Sequence, residues 1–146
     1  LTKKFRFDGV GITASNTRVL TIQDSDLTVA GINVAQEFTA TQNFNATTLT
    51  DASTIAWDAS ANQVTSVTLG GNRTLGASTN QVDGGVYVIS IIQDGTGSRT
   101  LSFNSNYKFA GGTAPTVTAT ASARDVFVFM SNGTNMFEIG RSQNVS

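Results

Sequence analysis

The stretch VYVISII (residues 86–92) places apolar side chains on both faces of one predicted strand, because successive side chains of a strand point to opposite sides. DVFVFM (residues 125–130) repeats this pattern. A strand with one face in water alternates apolar with polar residues, so both faces of these strands must be covered. A single small β-domain has one core, and we therefore expect a second sheet or a partner chain on the outer face, with self-association the simplest arrangement. The residues predicted to lie in the core or at a subunit interface are Val86, Tyr87, Val88, Ile89, Ile91, Phe127 and Phe129, together with Trp57.

The rest of the chain also favours strands. It has 22 Thr against two Glu and three Lys, so residues that favour exposed helix positions are scarce while β-branched ones are abundant. Further strand-like runs lie at residues 98–104 and 134–140, and the Gly-rich segments QDGTGSRT and SNGTN between runs are typical of hairpin loops. These features predict an all-β fold, an antiparallel β-sandwich or jelly-roll-like domain.

The two parts of the chain differ in their content of apolar residues. Residues 1–46 contain few apolar residues with which to build a separate core, so we predict an extended N-terminal segment that attaches or intertwines in an oligomer. Residues 47–146 are predicted to form the C-terminal β-sandwich domain. The first residue is not Met, and we expect the chain to be processed, trimmed, or a piece of something longer.

Composition excludes several kinds of chemistry. The chain has no His and no Cys, which removes Ser-His-Asp and Cys-His nucleophiles and the usual zinc sites. Neither LGGNRTLG (residues 69–76) nor QDGTGSRT (residues 93–100) fits a P-loop, and both are predicted to be hairpin turns. The DSD at residues 24–26 lacks the rest of an EF-hand. The net charge of −1 offers no basic field for nucleic acid, and no apolar run approaches the roughly 20 residues that span a bilayer. We therefore expect no enzyme, no cofactor, no metal, no nucleic acid partner and no membrane partner.

Two aromatic residues, Trp57 and Tyr107, are candidate ligand contacts. Trp57 shares its strand face with Ile55 and Ala59, which favours a position in the core or at a subunit interface. The segment NSNYKF (residues 104–109) combines amides, an aromatic ring and a cation in a polar setting. The residues predicted to contact a glycan are Asn104, Asn106, Tyr107 and Lys108, and the alternative, which the sequence favours, is an ordinary polar turn between strands.

Residues 47–139 resemble a C-terminal β-module of tail fibres and related virion proteins of tailed bacteriophages. The resemblance rests on TLTDASTIAWD, VTLGGNRTLGA, QDGTGSRTLSF, YKFAGGTAPT and SNGTNM, which occur in that order. Upstream, NTRVLTIQDSDLTVAG and EFTATQNFNATTL resemble a second phage-fibre pattern, although Gln23-Asp24 stands where that pattern has Pro-Asp.

The resemblance implies a homotrimeric, β-rich virion appendage with a binding or structural role, and it carries no catalytic motif. The leading hypothesis is a trimeric tail-fibre or receptor-binding module that contacts host surface polysaccharide and other virion proteins. The alternative is a head-decoration protein, head fibre or other structural virion component without receptor binding, so the predicted location is the tail fibre or the head surface. A depolymerising tailspike module is the third hypothesis, but the β-helix that usually houses such catalysis is too large for this chain.

Overall fold

The computed structural model describes residues 43–145, together with residues 15, 17, 19 and 41. The chain divides into two units, Leu1–Thr41 and Gln42–Ser146, and all the strands of the described residues belong to the second unit. The extended segment predicted over residues 1–46 therefore lies almost entirely outside the described residues, and both it and the predicted boundary remain predictions. Within the described part of the chain, no helix has the length and apolar character needed to cross a membrane.

Nine strands in residues 43–145 form two sheets. The strands are β1 (Ala46–Thr48), β2 (Thr54–Asp58), β3 (Val64–Leu69), β4 (Arg73–Thr79), β5 (Asp83–Gln93), β6 (Leu101–Phe103), β7 (Tyr107–Lys108), β8 (Arg124–Asn132) and β9 (Met136–Val145). The six-stranded sheet has the order β1-β3-β5-β8-β9-β7, and the three-stranded sheet has the order β2-β4-β6. A single 3-10 turn, Ala110–Gly112, follows β7.

The first six strands wind between the two sheets. The chain runs from β1 in the six-stranded sheet to β2 in the three-stranded sheet, returns to β3, and repeats this passage through β4, β5 and β6. Each return lays a strand parallel to the strand of the previous turn, as in a parallel β-solenoid. The last part closes the six-stranded sheet differently, with β8 antiparallel to β5, β9 antiparallel to β8, and β7 parallel to β9.

Polar side chains tie consecutive turns of the winding together at one set of corners. Arg73 donates from Nε and Nη2 to the two carboxylate oxygens of Asp51, at 2.8 and 2.6 Å, joining the first turn to the second. These hydrogen bonds from Arg73 hold the pKa of Asp51 below its usual range. The second turn is joined to the third because the backbone N–H of Thr100 donates to Oδ1 of Asn72 at 3.0 Å.

The core fills the space between the sheets. Ile55 of β2 pairs in register with Leu75 of β4, while Val67 of β3 pairs with Ile91 of β5, and all four side chains are buried. Trp57 lies at the centre, 1% exposed. Its ring stacks on Tyr107 at a centroid distance of 6.2 Å and meets Tyr87 and Phe129 edge-on.

The all-β, two-sheet prediction is confirmed, but the sheets are not antiparallel: the six-stranded sheet is mixed and the three-stranded sheet is parallel. The segments LGGNRTLG and QDGTGSRT do not close hairpins. Each carries the chain from the six-stranded to the three-stranded sheet, so that Leu69 and Leu75, at the two ends of the first crossing, are both completely buried. The segment after Pro115 runs without ladder pairing to Ala123.

Candidate functional site

The loop predicted to contact a glycan joins β6 to β7. Its turn is closed locally, because the backbone N–H of Asn106 donates to Oδ1 of Asn104 at 3.1 Å and the N–H of Tyr107 donates to the carbonyl of Asn104 at 3.1 Å. Asn104 is also anchored to β4, since its N–H donates to the carbonyl of Leu75 at 3.0 Å. The loop is therefore a fixed extension of the three-stranded sheet.

Two of the four predicted contact residues point into the protein. Tyr107 is 4% exposed, and its hydroxyl donates to the carbonyl of Gly76 at 3.0 Å. Burial raises the pKa of the Tyr107 hydroxyl. Asn106 is half-buried and donates from Nδ2 to the hydroxyl of Ser78 at 2.9 Å, while its Oδ1 is buried without a hydrogen-bond partner. The structure therefore places Tyr107 in the core, where its ring cannot stack on a ligand.

The other two residues face solvent beside a hollow. Asn104 and Lys108 are exposed, and Lys108 Nζ donates to the carbonyl of Ser105 at 2.7 Å. They line a hollow of about 370 Å³ together with the half-buried rings of Phe103 and Phe109. These two rings meet edge-on at a centroid distance of 4.9 Å. Phe103 and Phe109 thus supply the accessible aromatic surface that the sequence analysis had assigned to Tyr107.

The hollow combines the chemical features that suit a sugar. Its aromatic rings offer apolar surface, the Asn104 amide offers a donor and an acceptor, and Lys108 offers a positive charge. The residues predicted from the sequence to contact a glycan did not include Phe103 and Phe109, although both line the hollow. The sequence signal for Phe109 is its spacing from Tyr107. Alternation places Phe109 on the same side of the chain as the buried Tyr107, but its ring is only half-buried and also lines the hollow.

The strands with two apolar faces occupy the middle of the six-stranded sheet. On the inner face of β5 and β8, Tyr87, Ile89, Ile91, Phe127 and Phe129 are buried against the three-stranded sheet. Val86 and Val88 point to the opposite face, where Val86 is 43% exposed and Val88 is half-buried. The second sheet therefore covers one face, and none of the residues that the structure describes covers the other.

The uncovered face is apolar across three adjacent strands. Val86 of β5, Met130 of β8 and Phe137 of β9 stand opposite one another in register, and they are 43%, 44% and 38% exposed. Next to them, Val88 pairs with Val128, and Ile139 protrudes from a bulge of β9 with 54% of its surface exposed. We call the row Val86, Met130 and Phe137, with Ile139, the outer apolar row. Large exposed apolar patches mark interaction surfaces.

Apart from the exposed Asp83, the carboxylates of the described residues hold loops and strand ends. Arg99 donates to Asp94 at 2.8 Å and Arg141 to Glu138 at 3.2 Å, in addition to the pair of Arg73 with Asp51. Asp58 accepts hydrogen bonds from Ser60 and Asn80, and these bonds lower its pKa. No group of three His, Cys, Asp or Glu side chains in residues 43–145 is arranged to hold a metal ion.

Comparison with known proteins identifies the family. Residues 27–136 match the model of a family described as "Putative phage tail fibre C-terminal domain". No curated protein and no solved structure matches the chain. The family match covers about three quarters of the sequence, including both sheets up to the start of β9. The chain therefore belongs to the phage tail fibre C-terminal domain family, as a structural protein associated with the virion.

Proposed function

We propose that this chain is a self-associating, non-enzymatic tail-fibre module that contacts polysaccharide on the host surface. The observation that carries the proposal is the hollow beside β7, where Phe109, Asn104 and Lys108 present an apolar ring, an amide and a cation side by side. An aromatic ring can pack against the C–H face of a sugar, while amide groups exchange hydrogen bonds with its hydroxyls. Each such contact is weak, and several copies on one fibre strengthen attachment through avidity.

The outer apolar row supports association between copies. Leaving Met130 and Phe137 in water forgoes roughly 25 cal/mol for each Å² of apolar surface, and a second copy placed on this row recovers that free energy. The resemblance to trimeric virion appendages makes three copies the proposed number. Three copies would present three hollows to one bacterial surface.

A role without catalysis is part of the proposal. Glycoside hydrolysis needs two carboxyl groups across the scissile bond, one of them kept protonated. The hollow beside β7 has no carboxylate among its lining residues. Asp51, Asp94 and Glu138 instead form ion pairs, and Asp58 accepts hydrogen bonds from Ser60 in the turn that follows β2.

Adsorption to host cells tests the glycan contact. Phe109→Ala and the double variant Asn104→Ala/Lys108→Ala remove the ring and the polar rim separately, and each is expected to reduce adsorption of the purified chain at least several-fold. Phe44→Ala is the matched control, because Phe44 is 62% exposed and does not line the hollow. Circular dichroism verifies that every variant is folded. Unchanged adsorption of both hollow variants would contradict the glycan contact.

Sedimentation tests the association. The parent chain is expected to sediment as a trimer, and Met130→Asp as a monomer, because a charge in the centre of the outer apolar row opposes its burial. Thr54→Asp, at an exposed position of β2 in the three-stranded sheet, controls for added negative charge. Immunogold labelling of the parent particle tests the location. Label at the fibre tips agrees with the proposal, whereas label over the head favours a decoration role without receptor contact.

A further inference from the structure

A second hollow adjoins the one beside β7. It measures about 550 Å³ and shares Phe103 and Ala114 with the first. One wall is residues 98–103, which include β6, and the other wall is the segment 114–119. We call the two hollows together the β6 groove. Each hollow is within the size range of small-molecule sites. Two adjoining hollows suit a ligand made of several linked units better than a ligand of one unit.

The strand that forms the groove wall has an unpaired edge. β6 is the last strand of the three-stranded sheet, with β4 on its other side. The N–H of Arg73 donates to the carbonyl of Thr100, and the N–H of Asn104 donates to the carbonyl of Leu75, so the peptide groups of Thr100 and Asn104 face β4. Because peptide groups alternate along a strand, those of Leu101 and Phe103 face the groove.

No backbone hydrogen bond to Leu101 or Phe103 from the opposite wall is present in residues 43–145. That wall is held by other contacts: Thr118 N–H donates to Asp125 at 2.7 Å, and the carbonyl of Thr116 accepts from Gln143 at 2.7 Å. The free N–H and C=O groups of β6 are therefore available to a ligand rich in hydroxyl groups.

The charges that line the groove are positive. Lys108 lies in the first hollow and Arg99 in the second, and neither hollow has a carboxylate in its lining. Arg99 is paired with Asp94, whereas Lys108 forms no ion pair with the described residues. A ligand carboxylate placed at Lys108 would gain an ion pair without meeting a like charge.

We propose that the β6 groove binds a linear polysaccharide that carries uronic acid residues. The carboxylate of one sugar lies at Lys108, its ring packs on Phe109, and the neighbouring sugar follows β6 and exchanges hydrogen bonds with the peptide groups of Leu101 and Phe103. This inference rests on the proposed contact with host glycan and specifies its ligand class.

The test uses polysaccharide extracted from a bacterium that adsorbs the chain, in its native form and after chemical reduction of its carboxyl groups to alcohols. The full chain is expected to bind the native form about twofold to fivefold more tightly than the reduced form, the upper part of the range expected for an exposed ion pair. Lys108→Gln should abolish that preference. Arg124→Gln is the matched control, because it removes an exposed positive charge outside the groove.

A second pair of variants tests the groove by its shape. Ala114 is exposed and lines both hollows, so Ala114→Phe should block the junction and abolish binding without changing a charge. Ala110→Phe adds the same ring at an exposed position that lines neither hollow and should bind normally. Equal binding of native and reduced polysaccharide, with loss of both in Phe109→Ala, would overturn the uronic acid inference and leave the glycan contact standing. If the chain adsorbs to no cells and binds neither form, the proposed function fails as well.

Discussion

Replacing Asp125 by Asn should weaken the fold more than its small chemical change suggests. Asp125 is 2% exposed at the start of β8. Its Oδ1 accepts from the N–H of Asn144 at 2.8 Å, and its Oδ2 accepts from the N–H of Thr118 at 2.7 Å and from Gln143 Nε2 at 3.2 Å. The carboxylate thus fixes both the segment that walls the β6 groove and the end of β9.

The magnitude follows from the donors. An Asn side chain has one acceptor oxygen, so its NH₂ group must face either Asn144 or Thr118. The less costly orientation keeps the amide oxygen toward Thr118 and Gln143. It loses the hydrogen bond from Asn144, and the bonds from Thr118 and Gln143 become bonds to a neutral acceptor. A hydrogen bond to a charged group contributes about 1.5–3 kcal/mol and a neutral one about 0.5–1.5 kcal/mol, while removing the charge recovers part of its desolvation cost. We expect a loss of about 2–4 kcal/mol in the free energy of unfolding.

Fluorescence of the single tryptophan provides the assay. Trp57 is buried and the only Trp in the chain, so its emission follows unfolding in urea. With a urea dependence of about 1–3 kcal/mol per molar for a small domain, the midpoint of Asp125→Asn should fall by roughly 1–2 M at equal protein concentration. Asp83→Asn is the control, because Asp83 is exposed and its side chain makes no hydrogen bond within the described residues.

The effect should also depend on pH. Burial raises the pKa of Asp125, but the N–H groups of Asn144 and Thr118 and the side chains of Thr118 and Gln143 outweigh it, so the net pKa is lowered. The unfolded chain therefore takes up the proton first, and the stabilisation is complete above the unfolded pKa of about 4 and is lost as the pH falls below it. The gap between parent and variant should close below about pH 4. A midpoint shift no larger than that of the control, or a gap that stays constant from pH 7 to pH 3, would refute the reasoning.

Three further predictions use the same urea assay. Gly97→Ala should lower the free energy of unfolding by at least about 2 kcal/mol, because Gly97 has a φ of 72° and a Cβ would lie 2.6 Å from the backbone nitrogen of Ala121. Gly95→Ala, which meets nothing within 4 Å, should change it by less than about 0.5 kcal/mol; equal losses would contradict the steric argument. Tyr107→Phe should cost about 1–2 kcal/mol by leaving the carbonyl of Gly76 without its donor, and an unchanged midpoint would argue against that bond. Because burial raises the pKa of Tyr107, its contribution is present below the unfolded value of about 10 and lost above it, so stability should fall less above pH 10 in Tyr107→Phe than in the parent.

The sequence predicted the strands better than their connections. In residues 86–92, side chains alternate between an apolar core and an apolar outer face, and both faces were identified from spacing alone. The winding was missed because a Gly-rich turn that closes a hairpin and one that crosses between sheets have the same composition. A signal was present: LTDASTI (49–55) and LGGNRTL (69–75) share the pattern of Leu followed six residues later by Ile or Leu, and RTL recurs at 99–101. Repeats of this kind mark stacked turns of a solenoid.

The composition of residues 104–109 predicted a candidate site there, but it did not predict which of the side chains face the hollow. Asn104 and Lys108 face solvent as a polar loop predicts, and alternation gives no guide to Tyr107, since the turn over residues 104–106 resets which side chains point inward. The decisive facts are contacts distant in sequence. Tyr107 is drawn into the core by its hydrogen bond to Gly76 and its stacking on Trp57, which leaves Phe109 at the hollow.

The two outer faces of the sandwich differ in a way that reconciles association with ligand contact. Across the three-stranded sheet, Thr54, Thr74 and Ser102 stand in register and form a polar row on the outside. The six-stranded sheet carries the outer apolar row on the opposite side. Copies that associate to remove apolar surface from water must do so through the six-stranded sheet, since burying the polar row would cost its hydrogen bonds to water. In such an assembly the three-stranded sheet lies on the outside. Because β6 is the last strand of that sheet, the β6 groove lies on the outside as well. A variant that fails to associate should therefore still bind polysaccharide at each groove, and should lose only the avidity that several grooves on one fibre provide.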